Sequence, residues 1–482
     1  IAQLAKLSFA AGSFPSALKQ GRVTPLLKKP GLDKSDMANY RPITNLSTLS
    51  KLLEKLVLSR IRPHVMLTGN FSPFQSAYRV GHSTETALLR VVNDIARAAD
   101  TQQTTALLAL DISAAFDTID HGVLLDRLSA DFGVGGCALR WLRSFVTART
   151  HYVGVGAARS KSVMCPSGVP QGSVLGPLLF AMYITPIGNI VAAHRLHYHQ
   201  YADDTQLYMT LRPGTGTIDT VSQCVADVSR WFLENGMLLN PNKTEAVLFG
   251  TCGQRAKVDT AAGIDVAGSH VNFSDTVKLL GVHLDSALSM DRHVSEVVRG
   301  CSYHTRALRH IRPLLSFDAA KLIAQGVVSA RLDYCNSLLC GTSAGNIDRL
   351  QVAQNALARA VCAAPWSASA TELRRSLHWL PVRQRVDYKL AVITYRTRQS
   401  GVPNYMASLI QDYRPTRTLR SSDCLLLRQP FVKLEFAKKA FSFGAPHVWN
   451  SLSNECRLSP TLCFHPSSCR RRVPTTAAVG LN

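Results

Sequence analysis

The sequence predicts a mixed α/β fold of the α+β kind to about residue 285, then a basic helical region to about residue 365. A mostly helical or irregular C-terminal region follows. Short apolar or alternating runs such as "TALLALDI" (105–112) and "KTEAVLFG" (243–250) alternate with amphipathic helical periods in the first part. After "VKLLGVHLD" (277–285) the patterning turns mostly to the helical period. The charge changes at the same place. Residues 1–285 hold 27 Lys and Arg against 21 Asp and Glu, whereas residues 286–482 hold 27 against 11.

Taken in order, "NLSTLSKLLEKLVLSRIRPHV" (45–65) spaces Leu49, Leu52, Leu53, Leu56 and Ile61 as a helix that Pro63 should end. "STETALLRVVNDIARAA" (83–99) is a second helix, capped by Ser83 or Thr84. "TALLALDI" reads as a buried strand delivering Asp111 at its end, with "GVLLDRL" and "GCALRWLRSFVTA" as helices behind it. Asp120 suits the N-cap of the first of these. "THYVGVGAARSKSVMC" (150–165) alternates and turns at "GAARS", the pattern of a hairpin. "PLLFAMYITPI" opens a helix with Pro177 at its first position. "HYHQYADDTQLYMT" (197–210) reads as strand, tight turn, strand; "VSQCVADVSRWFLENGM" (221–237) is helical, with Gly236 near its end. Beyond 285, "HVSEVVRGCSYHTRALRHI", "AAKLIAQGVVSARLDY" and "NIDRLQVAQNALARAVCA" are helices. The terminal "SSCRRRVPTTAAVGLN" carries no core pattern and is expected to be disordered.

Composition narrows the class. The net charge of +22 points to a polyanionic partner, with the later part as the stronger phosphate-binding surface. Twelve cysteines scattered singly, without CxxC pairs, imply reduced thiols and an intracellular setting, cytoplasm or nucleus. Cys456, Cys463, His465 and Cys469 form a candidate zinc cluster whose spacing matches no standard finger. Residues 165–193 carry no charge and reach membrane-spanning length, but Pro166, Pro170, Pro177 and Pro186 divide them into buried pieces, so no membrane partner is expected. The chain opens on Ile1 with no targeting segment, which suggests a piece of a longer protein.

Three acids stand out. Asp111 ends a strand, and Asp203 and Asp204 sit at a hairpin tip. If the strands share a sheet, the carboxylates converge, repel one another, and are relieved by a divalent cation. Two such ions can stabilise the attacking and leaving oxygens of an in-line phosphoryl displacement. An isolated Asp-Asp pair is more often a solvated turn; the surrounding motifs decide between the two.

"YADD" (201–204) resembles the hairpin motif of reverse transcriptases, and "LALDISAAFDTIDH" (108–121) is similar to their first catalytic motif. "SGVPQGSVLGPLLF" (167–180) resembles the Pro-Gln-Gly loop of the non-LTR retrotransposon class. "YRPITNLSTLSKLLEKLV" and "FSPFQSAYRVGHSTETAL" resemble its two fingers blocks. "LNPNKTEAVLFG" and "KLLGVHLD" resemble the lysine-bearing motif and the primer grip. The blocks run in order over residues 15–290, and the likeness to LINE-type elements of the jockey-like group continues through "LHWLPVRQRVDYKLAVITYR" (377–396).

The resemblance implies a right-hand polymerase: fingers and palm with an antiparallel palm sheet over 9–285, a helical basic thumb over 286–365, and a family-specific C-terminal region over 366–482. It implies an RNA-directed DNA polymerase that extends a DNA primer on an RNA template with dNTPs. Two Mg²⁺ (or Mn²⁺) ions would be held by Asp111 and Asp203, with Asp204 and the Ile112 carbonyl beside them. Phe116 would exclude the 2′-OH of a ribonucleotide. Gln171 and Gly172 would line the nascent base pair. Arg79, with Arg41 as a second candidate, would contact the triphosphate, and Lys243 would stabilise leaving pyrophosphate. Leu279, Leu280 and Gly281 would form the primer grip, and Arg292, Arg299, Arg306, Arg309 and Arg312 would grip the nucleic-acid backbone. No protein partner is inferable.

An RNA-dependent RNA polymerase would carry a polar group in place of Phe116 and Gly before the paired acids in place of Tyr201-Ala202. A remnant element that only binds RNA is the second alternative, against which the retained Asp111, Asp203, Asp204, Gln171 and Lys243 weigh. No endonuclease-like region is expected before residue 15, so target-primed integration would need a further domain.

Overall fold

The computed structural model describes residues 1–113, 115–211, 218–258, 263–414 and 425–459. A five-stranded sheet forms the palm, in the order Phe273–Ser274, Glu245–Phe249, Thr104–Leu110, Asp204–Leu211, His197–Tyr201. The last four are antiparallel neighbours, and Phe273–Ser274 joins in parallel. Register positions the acids. Leu110 faces Thr205 and Tyr201 faces Asp204, so Asp111, one residue past Leu110, comes level with the turn.

Alternation along these strands gives the sheet two buried faces. Leu108, Leu110, Leu207 and Ala246 enter one core with the helices Thr48–Leu67, His121–Ala130 and Gly136–Val146. Their neighbours Leu107, Tyr208 and Val247 enter a second core on the opposite face. That second core runs on through the helices Asp291–Ile311 and Ala344–Val361 to Leu390, Phe441 and Val448. Residues on both sides of position 365 thus share one core.

The helix Thr84–Asp100 lies between the palm sheet and the C-terminal region. Ser83 caps it in a reciprocal box with Thr86. Its polar groups bind distant backbone: Asp100 accepts from the Lys433 and Leu434 N–H groups, and Asn93 from that of Ser442.

A second sheet runs in the order Tyr40–Asn45, Gln20–Leu27, Arg149–Val155, Ala158–Arg159, with Val163–Cys165 also paired to Arg149–Val155. Here the expected hairpin is present. Asp120 caps His121–Ala130 through the Val123 N–H, and Pro177 lies in the first turn of Gly176–Tyr183.

Two expectations need correction. Pro63 does not end its helix, which runs Thr48–Leu67. A mid-helix proline costs about 3 kcal/mol, but the turn beyond it is anchored by fully buried Val65 and by His64, whose Nε2 is 2.8 Å from the Phe132 carbonyl. The segment "AAKLIAQGVVSARLDY" (319–334) is also not one regular helix. Phe317–Ile323 and Ala330–Asp333 are joined by a π-helical stretch, Ala324–Ser329.

The uncharged segment is buried core, as expected. Gly176–Ala193 is apolar and long enough to cross a membrane, yet 61% of it is buried within the protein, and it consists of two helices, Gly176–Tyr183 and Ile187–Ala193. The nine cysteines among the described residues are free. Cys456 is buried; Cys463, His465, Cys469 and the terminal segment lie outside the described residues.

Candidate active site

The hairpin His197–Tyr201/Asp204–Leu211 turns through two residues, Ala202 and Asp203. Of the two, Ala202 alone adopts a positive φ, 58°, the pattern of a type II′ turn, where the first central position favours Gly. Asp203 and Asp204 are both near enough to Asp111 for its charge to act on them. Burial, and then Asp111, push the Asp203 carboxyl above the ordinary aspartate range; its own backbone N–H and Arg41 act in the other direction. Asp204 opens to solvent on one side but is crowded on the other. Loss of hydration, then Asp203 and Asp111, raise it to about 6. Lys243 Nζ lies 3.6 Å from Asp111 Oδ2, and both side chains are partly open, at 63% and 38% exposed.

Among the described residues, no three acid, His or Cys side chains are arranged as a preformed metal cage. The donor set nevertheless fits a hard divalent cation, because Mg²⁺ typically takes one or two carboxylates and completes its shell with water and substrate phosphate. Self-repelling oxygens open to solvent supply that arrangement.

The loop carrying Gln171 and Gly172 is stitched to its surroundings. The Thr44 N–H donates to the Gln171 carbonyl at 2.8 Å, and Gln171 Nε2 donates to Asp117 Oδ2 at 3.2 Å. Gly172 has φ 114°, and a Cβ there would stand 2.6 Å from the Thr44 carbonyl oxygen. The buried Glu54 accepts from the Val174 and Leu175 N–H groups at 2.6 and 3.1 Å. Phe116 is half-buried and stacks on Phe180, 4.8 Å between centroids, while its carbonyl accepts from the Val169 N–H. Ile112 is buried, opposite Leu239 in a short antiparallel pair.

The two candidate arginines differ. Arg79 donates to the carbonyls of Ser72, Pro73 and Gln75 and covers the Phe71 ring, so its guanidinium is engaged within its own loop. Arg41 is exposed on the strand Tyr40–Asn45, where its charge acts on Asp203. Leu279 is buried; Leu280 and Gly281 form the two-residue turn of the hairpin Thr276–Leu279/Val282–Asp285, both with positive φ, and the Tyr334 hydroxyl donates to the Leu280 carbonyl at 2.6 Å.

On Asp291–Ile311, Arg299, Arg306 and Arg309 are exposed. Arg299 pairs with Glu296, Arg309 reaches the Ala356 carbonyl, and Arg292 donates to the Thr276 hydroxyl. Arg312 departs from this set. It turns inward to the carbonyls of Val361 and Leu315 and fixes a helix connection.

Sequence reasoning passed over Glu54, Gln75 and Tyr78. Glu54 had a readable signal, a lone acid within the apolar stripe of its helix. Tyr78, at φ 62°, is close enough to Asp203 for that charge, after burial, to raise its phenol. Gln75 left no trace beyond its place in "FQSAY".

The profile of the family described as reverse transcriptase (RNA-dependent DNA polymerase) matches residues 27–284. The RNA-directed DNA polymerase from mobile element jockey of Drosophila funebris is 27% identical over 406 residues, 82% of this chain and 43% of the relative. The probable RNA-directed DNA polymerase from transposon X-element of Drosophila melanogaster is 27% identical over 430 residues, covering 87% and 46%. The chain thus spans less than half the length of these relatives. Among solved structures, apo telomerase from Candida tropicalis aligns at 11% identity and a TM-score of 0.43, over 80% of this chain and 63% of that one. With the family profile covering more than half of its length, and both acid-bearing motifs within that span, the chain belongs to the reverse transcriptase family.

Proposed function

We propose that this chain is the polymerase portion of a non-LTR retrotransposon protein, an RNA-directed DNA polymerase that extends a DNA primer on an RNA template with dNTPs. The observation that carries this reading is the meeting of Asp111 with the Asp203–Asp204 turn at one end of the palm sheet, in a chain of this family.

Reverse transcriptases depend on divalent metal ions, and Mg²⁺ is the ion proposed here, with Asp111 and Asp203 as its main protein ligands and Asp204 and the Ile112 carbonyl beside them. Bound there, the ions would lower the pKa of the primer 3′-OH and neutralise charge on the triphosphate. The remaining work falls to the protein. Lys243 partners Asp111 in the resting site and would stabilise leaving pyrophosphate. Arg41, exposed and facing Asp203, suits the triphosphate better than Arg79, whose donors are engaged. Phe116, seated on Phe180, would meet the sugar where a 2′-OH projects. Gln171 and the bare backbone of Gly172 would line the base pair.

The hairpin around Leu279, Leu280 and Gly281 would hold the primer. The exposed arginines of Asp291–Ile311 would track the template–primer backbone as a thumb over residues 286–365, with residues 366–482 as the family-specific region. An intracellular setting, cytoplasm and nucleus, accords with the scattered free thiols.

The test is extension of a DNA primer on an RNA template by the purified chain with dNTPs and Mg²⁺. Incorporation is the expected result. Tight RNA binding without incorporation on several templates would instead favour a remnant that only binds RNA.

A further inference from the structure

The mechanism above gives no part to Gln75, a polar side chain only 1% exposed. Its amide performs one task from both ends. Oε1 accepts from the Ala202 N–H at 2.9 Å, and Nε2 donates to the Ala202 carbonyl at 3.1 Å. One side chain thus holds both backbone polar groups of the residue that precedes Asp203. The amide cannot turn over without loss, because Oε1 also accepts from the Ala77 N–H at 3.1 Å.

The main chain on either side is fastened to the same strand. Gln200 N–H donates to the Phe74 carbonyl at 3.0 Å, and Ser76 N–H to the Gln200 carbonyl at 2.9 Å. The Ser76 hydroxyl is 2.8 Å from both His199 Nε2 and the Tyr405 hydroxyl. Gln75 is therefore held rigidly by residues before and after it.

Ala202 needs such a partner. Its φ of 58° is positive, a backbone state that costs an L-residue with a Cβ about 1–3 kcal/mol and that Gly takes freely. Glycine is preferred at this turn position, and this chain has alanine. Released from the amide, the tip would relax toward turns in which Asp203 points elsewhere.

We propose that Gln75 is a positioning residue: it pins Ala202 in its positive-φ conformation and so sets the direction of the Asp203 carboxylate. The inference rests on the polymerase reading for its consequence in catalysis, but the pinning itself can be measured without catalysis.

The experiment compares the wild-type chain with Gln75→Ala and with the double variant Gln75→Ala/Ala202→Gly, by hydrogen exchange of the 197–210 segment and by primer extension. In Gln75→Ala the tip amides should exchange faster. The kcat should fall by about 10- to 100-fold while the dNTP KM stays within about threefold, since the group moves the carboxylate without touching substrate. Adding Ala202→Gly should restore most of the lost kcat, because Gly holds a positive φ without the amide, whereas fast exchange at the tip should persist. If Gln75→Ala fails to fold by circular dichroism, Gln75→Met, which fills the space without either bond, replaces it in both backgrounds. Unchanged exchange at the tip overturns the inference whatever the activity. A loss of kcat in a folded variant that Ala202→Gly does not relieve also overturns it. Wild-type protein that extends no primer defeats the polymerase reading instead, and the exchange arm still decides the pinning.

Discussion

The two ends of the hairpin His197–Leu211 occupy opposite environments. At the tip, Asp203 and Asp204 crowd Asp111 at the edge of solvent, and burial with mutual repulsion lifts their pKa values. A few residues back, His199 is fully buried and held neutral, its pKa lowered to about 3 by burial, then by Arg90 and His82. Its Nε2 joins Ser76, whose hydroxyl meets Tyr405, and Tyr405 is in turn 3.1 Å from the Thr86 hydroxyl. In the proposed role the acids of the tip would face phosphate, and Asp204 is exposed, so they are not sealed into the core. The rear has no such duty and gathers segments more than 300 residues apart in sequence. An acid cluster that destabilises itself is held in place by a core built mostly from other parts of the chain.

The largest effect expected at the rear is on stability. Phe441→Ala empties a buried aromatic site in the core that the palm and C-terminal region share, and should cost about 3–5 kcal/mol. Urea unfolding followed by tryptophan fluorescence and by residual extension should then shift together. A C-terminal transition that leaves activity standing would show that the two regions do not share one cooperative core.

At the tip, Phe116→Val should relax discrimination against ribonucleotides by about 10- to 200-fold, the range for one group meeting a pocket wall. Competition between dNTP and rNTP in single-nucleotide extension measures it, and an unchanged ratio removes Phe116 from that role.

A smaller effect sharpens the electrostatic side. Asp204 has a folded pKa of about 6 against an ordinary 3.8, so the folded state loses stability as pH rises through that window. Asp204→Asn should therefore raise Tm at pH 7.5 in metal-free buffer, and the gain should fade as pH falls from 6 toward 4. A lower Tm at pH 7.5 would contradict the repulsion. The smallest effect lies on the basic helix. Arg306→Ala should leave Tm unchanged and reduce the slope of log K for template–primer binding against log salt by about 1.

The tip was far more legible in the sequence than the rear. Asp111 at a strand end, the Asp203–Asp204 turn and the caps Ser83 and Asp120 all obey local rules of alternation, turn length and capping, which a single segment displays. The rear depends on pairings that leave no periodic trace. Nothing in "FQSAY" says that Gln75 reaches Ala202, and nothing near Tyr405 says that it closes on Ser76. Pro63 misled because the local rule for proline was outweighed by packing further along the helix. Arg79 and Arg41 have the same side chain; only the carbonyls around Arg79 separate a loop fastener from a residue facing the acids.

The proposed division of labour puts phosphoryl transfer on the acids at the tip and the holding of template and primer on the rest of the chain. It is tested most directly by comparing Asp203→Asn with the wild type, in extension and in template–primer binding under the same salt. Losing a carboxylate that organises several kcal/mol of charge stabilisation should lower extension on the order of 10³-fold. Affinity, carried by contacts to the nucleic-acid backbone, should stay within about twofold. A variant that extends primers at close to the wild-type rate would contradict the account.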